Sequence, residues 1–158
     1  MRRTLTATLP VALFVGFVVL PSPADERVVQ FDGGIGVIPV RGGGAANVVQ
    51  GVNPGGQPWV IAGLRADVRL DGHMSVDGRG LLFAGGNAIG TTGGQSVRAR
   101  LFCDGVPYDS DVVPLESGGD FRIDTTLTPA PPAACGSPAL LILNGAGTVW
   151  FAAGIPRI

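Results

Sequence analysis

Across residues 60–70 the even positions carry Val60, Ala62, Leu64, Ala66, Val68 and Leu70, while Arg65, Asp67 and Arg69 stand at odd ones. Successive side chains of a strand point to opposite faces, so a period of two describes a sheet with one buried and one solvated face. Residues 73–84 continue the pattern, with Met74, Val76 and Leu82 on one face and Ser75, Asp77 and Arg79 on the other. Beyond the first two dozen residues no stretch has a helical period. Composition agrees: 26 Gly and 13 Pro with only 15% charged residues make a chain rich in turns and poor in surface-helix formers.

Asp71-Gly72 separates the two alternating runs. A two-residue turn there would pair Leu70 with His73 and set every even residue against an odd one, so the apolar faces would disagree. A three-residue loop pairing Leu70 with Met74, or a five-residue one pairing Arg69 with Asp77 and Asp67 with Arg79, restores agreement. The five-residue loop also matches charges across the strands and is the preferred reading. Residues 80–84 break the alternation and are apolar on both faces, which predicts a covering element or partner. The Gln57-Pro58-Trp59 stretch and the N-terminal runs are the nearest candidates to provide it.

Further strands are expected at residues 97–103, 111–115, 121–127, 139–143 and 148–152, separated by Gly-rich or Pro-rich connections. The predicted class is all-β: a single antiparallel β-sandwich, immunoglobulin-like or jelly-roll-like, or a partly open barrel of about seven to eight strands. Residues 25–57 read as a Gly-rich N-terminal segment with one or two edge strands, at residues 28–31 and 35–40, and residues 58–158 as the domain proper.

Met1, Arg2 and Arg3 precede an apolar stretch over residues 4–20, and Ser22-Pro23-Ala24 supplies the small residues a signal peptidase needs. Residues 1–24 are therefore expected to be a cleaved signal peptide, and the protein to be secreted or held at the cell surface. The apolar stretch is short for a bilayer and is broken by Pro10, so the only membrane association expected is through an uncleaved leader. All 11 basic residues are Arg, which together with the Ala and Gly excess indicates a high-GC bacterial genome. Removing Arg2 and Arg3 leaves nine against 12 acidic residues, a formal charge of −3 with no basic run, which argues against nucleic acid.

Cys103 and Cys135 are the only cysteines, an even count in an exported chain, and predict a disulfide. Catalysis of the Ser-His-Asp type lacks support, because His73 is the only histidine, sits beside a turn, and no G-x-S-x-G occurs. Asp104, Asp109, Asp111, Glu116 and Asp120 could serve a carboxylate-dependent hydrolase, but nothing in their spacing sets two of them across a cleft. Asp104, Asp109 and Asp111 are also weak candidates for a calcium site, since closely spaced carboxylates suit a hard cation. Trp59, Trp150, Phe151 and Tyr108 could form an aromatic binding surface, although tryptophans in so small a domain are more often core plugs.

The strings Gly56-Gln57-Pro58-Trp59-Val60-Ile61-Ala62, Val76-Asp77-Gly78-Arg79-Gly80-Leu81-Leu82, Leu101-Phe102-Cys103, Gly119-Asp120-Phe121-Arg122-Ile123 and Trp150-Phe151-Ala152-Ala153-Gly154 resemble a group of uncharacterised secreted bacterial proteins. The resemblance covers about residues 47 to 158. It implies export and a β-sandwich and transfers no functional residue. The expectation for function is accordingly a non-enzymatic extracellular domain, structural or binding, without a cofactor and with a protein or a carbohydrate as ligand class. Leu81, Phe83, Trp59 and Trp150 are its candidate contact residues. A small secreted hydrolase and a calcium-assisted binding domain are the alternatives.

Overall fold

A computed structural model describes residues 26–40 and 46–157, which leaves the expected leader outside the described residues. Twelve strands form there: β1 Arg27–Gly36, β2 Asn53–Pro54, β3 Trp59–Val60, β4 Gly63–Arg69, β5 His73–Arg79, β6 Leu82–Phe83, β7 Ser96–Cys103, β8 Val106–Asp109, β9 Val113–Pro114, β10 Phe121–Thr126, β11 Ala139–Asn144 and β12 Val149–Pro156. Eight of them make one curled antiparallel sheet, a half-barrel, in the order β10-β5-β4-β1-β12-β11-β7-β8. Of the architectures the sequence left open, the partly open barrel describes it best. Strand β2 adds to β12 in parallel, β9 adds to β7, and β3 and β6 form a separate pair. The chain leading into β9 lies against the free edge of β10, where Thr125 Oγ1 donates to Asp111 Oδ2 at 2.8 Å.

The predicted alternation is the burial pattern of the central strands. Leu64, Ala66 and Val68 of β4, Met74 and Val76 of β5, Val97, Ala99 and Leu101 of β7, and Phe121 and Ile123 of β10 are all buried. Each large aliphatic side chain fully buried in this way contributes about 1.5–3 kcal/mol. Leu140, Leu141, Ile142 and Leu143 of β11 are buried on both faces, which is why that strand reads as a continuous apolar run. Across the β5–β10 pair Phe121 stands opposite Gly78, and a Cβ on Gly78 would lie 2.1 Å from the Phe121 ring. The ring thus occupies the space of the missing side chain and covers a backbone that would otherwise be exposed.

Three expectations are corrected. Residues 27–36 are not an edge element: β1 lies inside the sheet, bonded to β4 through its first half and to β12 through its second. A register shift between Phe31 and Gly34 lets one strand serve both neighbours, and such a bulge hides the alternation from a sequence reading. The folded unit therefore begins before residue 58.

The β4–β5 register also differs from both proposed loops. Val68 pairs with Met74 and Arg65 with Asp77, leaving a three-residue connection at residues 70–72. Gly72 takes a φ of +85°, its N–H donates to Arg69 O at 3.0 Å, and Asp71 Oδ1 accepts from His73 N at 2.9 Å. This is a turn followed by a left-handed glycine, which keeps the apolar faces in phase with the shortest closure. Both the expected and the observed pairings match charges, so charge could not discriminate between them.

Third, the run over residues 60–70 is not one strand. Ala62 N donates to Arg79 O as the chain passes from the β3–β6 pair to the main sheet, and the parity shifts at that step. Trp59 is buried and Val60 is half exposed, whereas from Leu64 onward the even residues point inward. The apolar residues 80–84 are covered as expected from the Gln57-Pro58-Trp59 side. Ala84 N donates to Pro58 O, Trp59 pairs with Phe83, and Leu81 is fully buried.

Cys103, the last residue of β7, is bonded to Cys135 in the long connection between β10 and β11. Asp104 N donates to Gly136 O at 2.8 Å and Asp104 Oδ2 accepts from Gly136 N at 3.2 Å, so the staple is flanked by a reciprocal backbone and carboxylate contact. A disulfide is compatible with an extracellular protein. Among the described residues no helix is long and apolar enough to cross a membrane.

Candidate functional site

Of the five acidic candidates, Glu116 and Asp120 line one open depression with Asp77, Arg79 and Arg122, while the other three stand apart from it. Asp104 is engaged with Gly136, Asp109 takes a two-pronged ion pair from Arg100 at 2.5 and 2.7 Å, and Asp111 accepts from Thr125. Between the last two, Ser110 is buried and its Oγ accepts from Ala99 N and donates to Asp111 O. Asp109 therefore reaches back to β7 and Asp111 forward to β10. Asp120 Oδ1 accepts from Gly80 N at 2.9 Å. No group of three His, Cys, Asp or Glu able to hold a metal ion occurs among the described residues. The calcium candidates Asp104, Asp109 and Asp111 are thus engaged in three separate structural contacts. His73 lies 3.9 Å from Asp124 on the solvent face, away from any serine nucleophile pattern.

The aromatic candidates are mostly drawn into the core. Trp59 is only 2% exposed and Trp150 only 6%, Leu81 is fully buried, and Phe83 packs partly buried against the same core. Trp59 lies between Phe83, with ring centroids 4.0 Å apart, and Phe151, at 4.1 Å. Trp150 Nε1 donates to Asn47 O at 3.2 Å, so its polar atom is satisfied within the fold. Rings this large release the most free energy when they are dry, and the open end of a half-barrel supplies the place for them.

On the outer face a row of alternating charge crosses four strands: Asp32 of β1 pairs with Arg65 of β4, Arg65 with Asp77 of β5, and Asp77 with Arg122 of β10. Asp77 Oδ2 accepts from Arg122 Nη2 at 2.7 Å and its Oδ1 from Arg79 Nε at 3.2 Å. The Arg122 hydrogen bond, seconded by Arg79 and opposed by partial desolvation, holds the Asp77 carboxyl below its ordinary value. A carboxylate whose pKa is depressed on folding stabilises the protein above its unfolded pKa, about 3.9 for Asp. That contribution is lost as pH falls through the lower folded value. In urea unfolding, wild type is expected to lose its advantage over Asp77→Asn on acidification below about pH 4, by less than about 1 kcal/mol because solvent screens the row. An advantage unchanged down to pH 2 would contradict the assignment.

The surface departs from an ordinary solvated sheet beside β3. Ile35 and Ile38 are 62% and 69% exposed and Val60 is 50% exposed. With Gly34, Gly36, Pro58, Trp59, Ile61 and Ala84 they line a groove of about 510 Å3 that contains no charged side chain. Its two walls are extended chain: the end of β1 running to Ile38, and residues 58–61 crossing over it. Gly36 permits that crossing, because a Cβ there would stand 2.1 Å from Trp59 O. Trp59 N in turn donates to Val37 O at 2.8 Å, and Val37 N to Phe151 O at 2.8 Å. Sequence reasoning passed over Ile35, Ile38, Val60 and Ile61 as strand residues. The available signal was apolar character at both parities over residues 35–40 and 59–62, which no half-buried strand can bury alone.

Comparison with protein-family models, with curated proteins and with solved structures found no match.

Proposed function

We propose that this protein is an exported, non-enzymatic binding module in which the stapled half-barrel is the scaffold and the groove beside β3 receives an uncharged apolar segment of a partner protein. The observation that carries the reading is the exposure of Ile35, Ile38 and Val60 around one uncharged groove. Contiguous exposed apolar surface costs solubility and marks interaction sites in soluble proteins. An extended partner chain suits walls that are themselves extended, and a charged partner would lose hydration here without gaining an ion pair. Of the five carboxylates a hydrolase would draw on, Asp104, Asp109, Asp111 and Asp120 are committed to structural bonds, which leaves Glu116 without a second free carboxylate among them and favours this reading.

The test is an array of short peptides that vary in hydropathy and charge, probed with wild type and with the Ile38→Asp, Val60→Asp double variant. Wild type is expected to retain neutral peptides rich in Val and Ile and to pass over charged ones. The double variant, altered only at exposed positions, should lose that retention by about tenfold or more, a difference of about 1.4 kcal/mol, while melting as wild type does. Equal retention by both proteins, or none by either, overturns the proposal. So does sedimentation of wild type as a dimer that the double variant abolishes, since a second copy would then be the occupant.

A further inference from the structure

The half-barrel has an open end where β7 and β12 begin and β11 finishes. There Gly56, Gln57, Trp59, Phe83, Gln95, Asn144, Val149 and Phe151 surround a second depression of about 270 Å3, which shares only Trp59 with the apolar groove. We propose that this depression is a binding site for one neutral sugar ring.

Three properties of the lining carry the assignment. One wall is aromatic: Phe83, the most exposed of the three rings, leans on Trp59 at 4.0 Å with the planes tilted by 38°, and Trp59 stacks on Phe151 at 4.1 Å. The buried Trp59 holds Phe83 in place, and the C–H face of a pyranose packs against an aromatic ring of this kind.

The polar groups are carboxamides, and two of them are unengaged. The Gln95 backbone is pinned, its N–H donating to Thr92 O and its carbonyl accepting from Leu115 N, while its side-chain amide has no hydrogen-bond partner among the described residues. The Gln57 amide is free in the same sense, and lies near Gly86 of the neighbouring loop. Each amide offers donors and an acceptor, the combination that matches hydroxyl groups, which donate and accept. Asn144, by contrast, is spent on Thr148 and Val149 and serves as a rigid wall.

No residue of the lining is charged. A carboxylate, phosphate or ammonium ligand would be desolvated without compensation, and a purely apolar one would strand the Gln95 amide. The volume lies just under the about 300–1,000 Å3 of pockets for drug-sized ligands, which suits a single small ring.

The experiment follows the side-chain amide signals of Gln57 and Gln95 in nitrogen-15 NMR spectra of the mature protein. Glucose, galactose, mannose and N-acetylglucosamine are titrated separately to high millimolar concentration, with glucuronate as the charged control. At least one neutral sugar is expected to shift both amides saturably, and glucuronate to leave them in place. Gln95→Leu should weaken that binding by about tenfold, the loss of one hydrogen bond of about 1–1.5 kcal/mol, with the melting temperature unchanged because the amide makes no hydrogen bond among the described residues. Gln57→Ala, at an exposed position, provides a second variant with the same expectation. Absence of a shift with all four sugars overturns the proposal, as does binding of glucuronate equal to that of the sugars or wild-type affinity in both variants.

Discussion

Replacing Cys103 and Cys135 together by alanine is expected to lower the unfolding free energy by about 3–4 kcal/mol, the cost of releasing a loop of this length in the unfolded chain. For a domain of this size that is a fall in melting temperature of roughly 10–15 °C. The bond joins the end of the core strand β7 to the connection between β10 and β11. Without it, that connection retains the two contacts between Asp104 and Gly136 as its hold on β7 at this point. Calorimetry of the double variant beside oxidised and reduced wild type checks the expectation. Reduced wild type should melt with the variant, since both lack the same constraint. A shift of less than about 3 °C would mean that the staple adds little to a sheet already held by its ladders.

Gly36→Ala should be at least as damaging, by about 3–5 kcal/mol, although it adds one methyl group. The new Cβ would meet Trp59 O at 2.1 Å and Val60 Cα at 2.7 Å, and both are backbone atoms that cannot swing aside. Relief requires β1 and β3 to separate, which breaks the bond from Trp59 N to Val37 O and loosens the ring stack of Phe83, Trp59 and Phe151. Gly63→Ala is the control. It begins β4 with open space around its Cβ position and no left-handed backbone, so it should change stability by no more than about 1 kcal/mol, if anything upward. Urea unfolding of the two variants decides the matter, and equal midpoints would show that the crossing at Gly36 is not a packing constraint. Because Gly36 and Trp59 also line the apolar groove, a Gly36→Ala protein that still folds should show a distorted groove.

The regular part of the fold was legible because its information is local. Alternation in residues 63–69, 73–79 and 97–103 assigns each residue to the inner or outer face, and the burial of Leu64, Val76 and Leu101 follows from it. The disulfide was legible for another reason: two cysteines in a chain expected to be exported have one another as the only intramolecular partner. Strand β8 was missed, since Pro107 and a mostly exposed face erase the apolar signal in Val106–Asp109. The candidate contact residues were ambiguous for a related reason. Trp59, Trp150 and Leu81 have the chemistry of either a binding surface or a core, and only the neighbours brought to them from elsewhere in the chain decide which.

The alternating central strands, the all-β class and the pairing of Cys103 with Cys135 are thus written in residue order and residue type, because each depends on neighbours two positions apart or on a count of thiols. The interior place of β1, the crossing of Trp59 over Gly36 and the two depressions on either lining of Trp59 depend on contacts between segments more than twenty residues apart in sequence. No periodicity records such contacts. They arise when the sheet curls, and curling leaves Ile35, Ile38 and Val60 facing water while it buries the tryptophans.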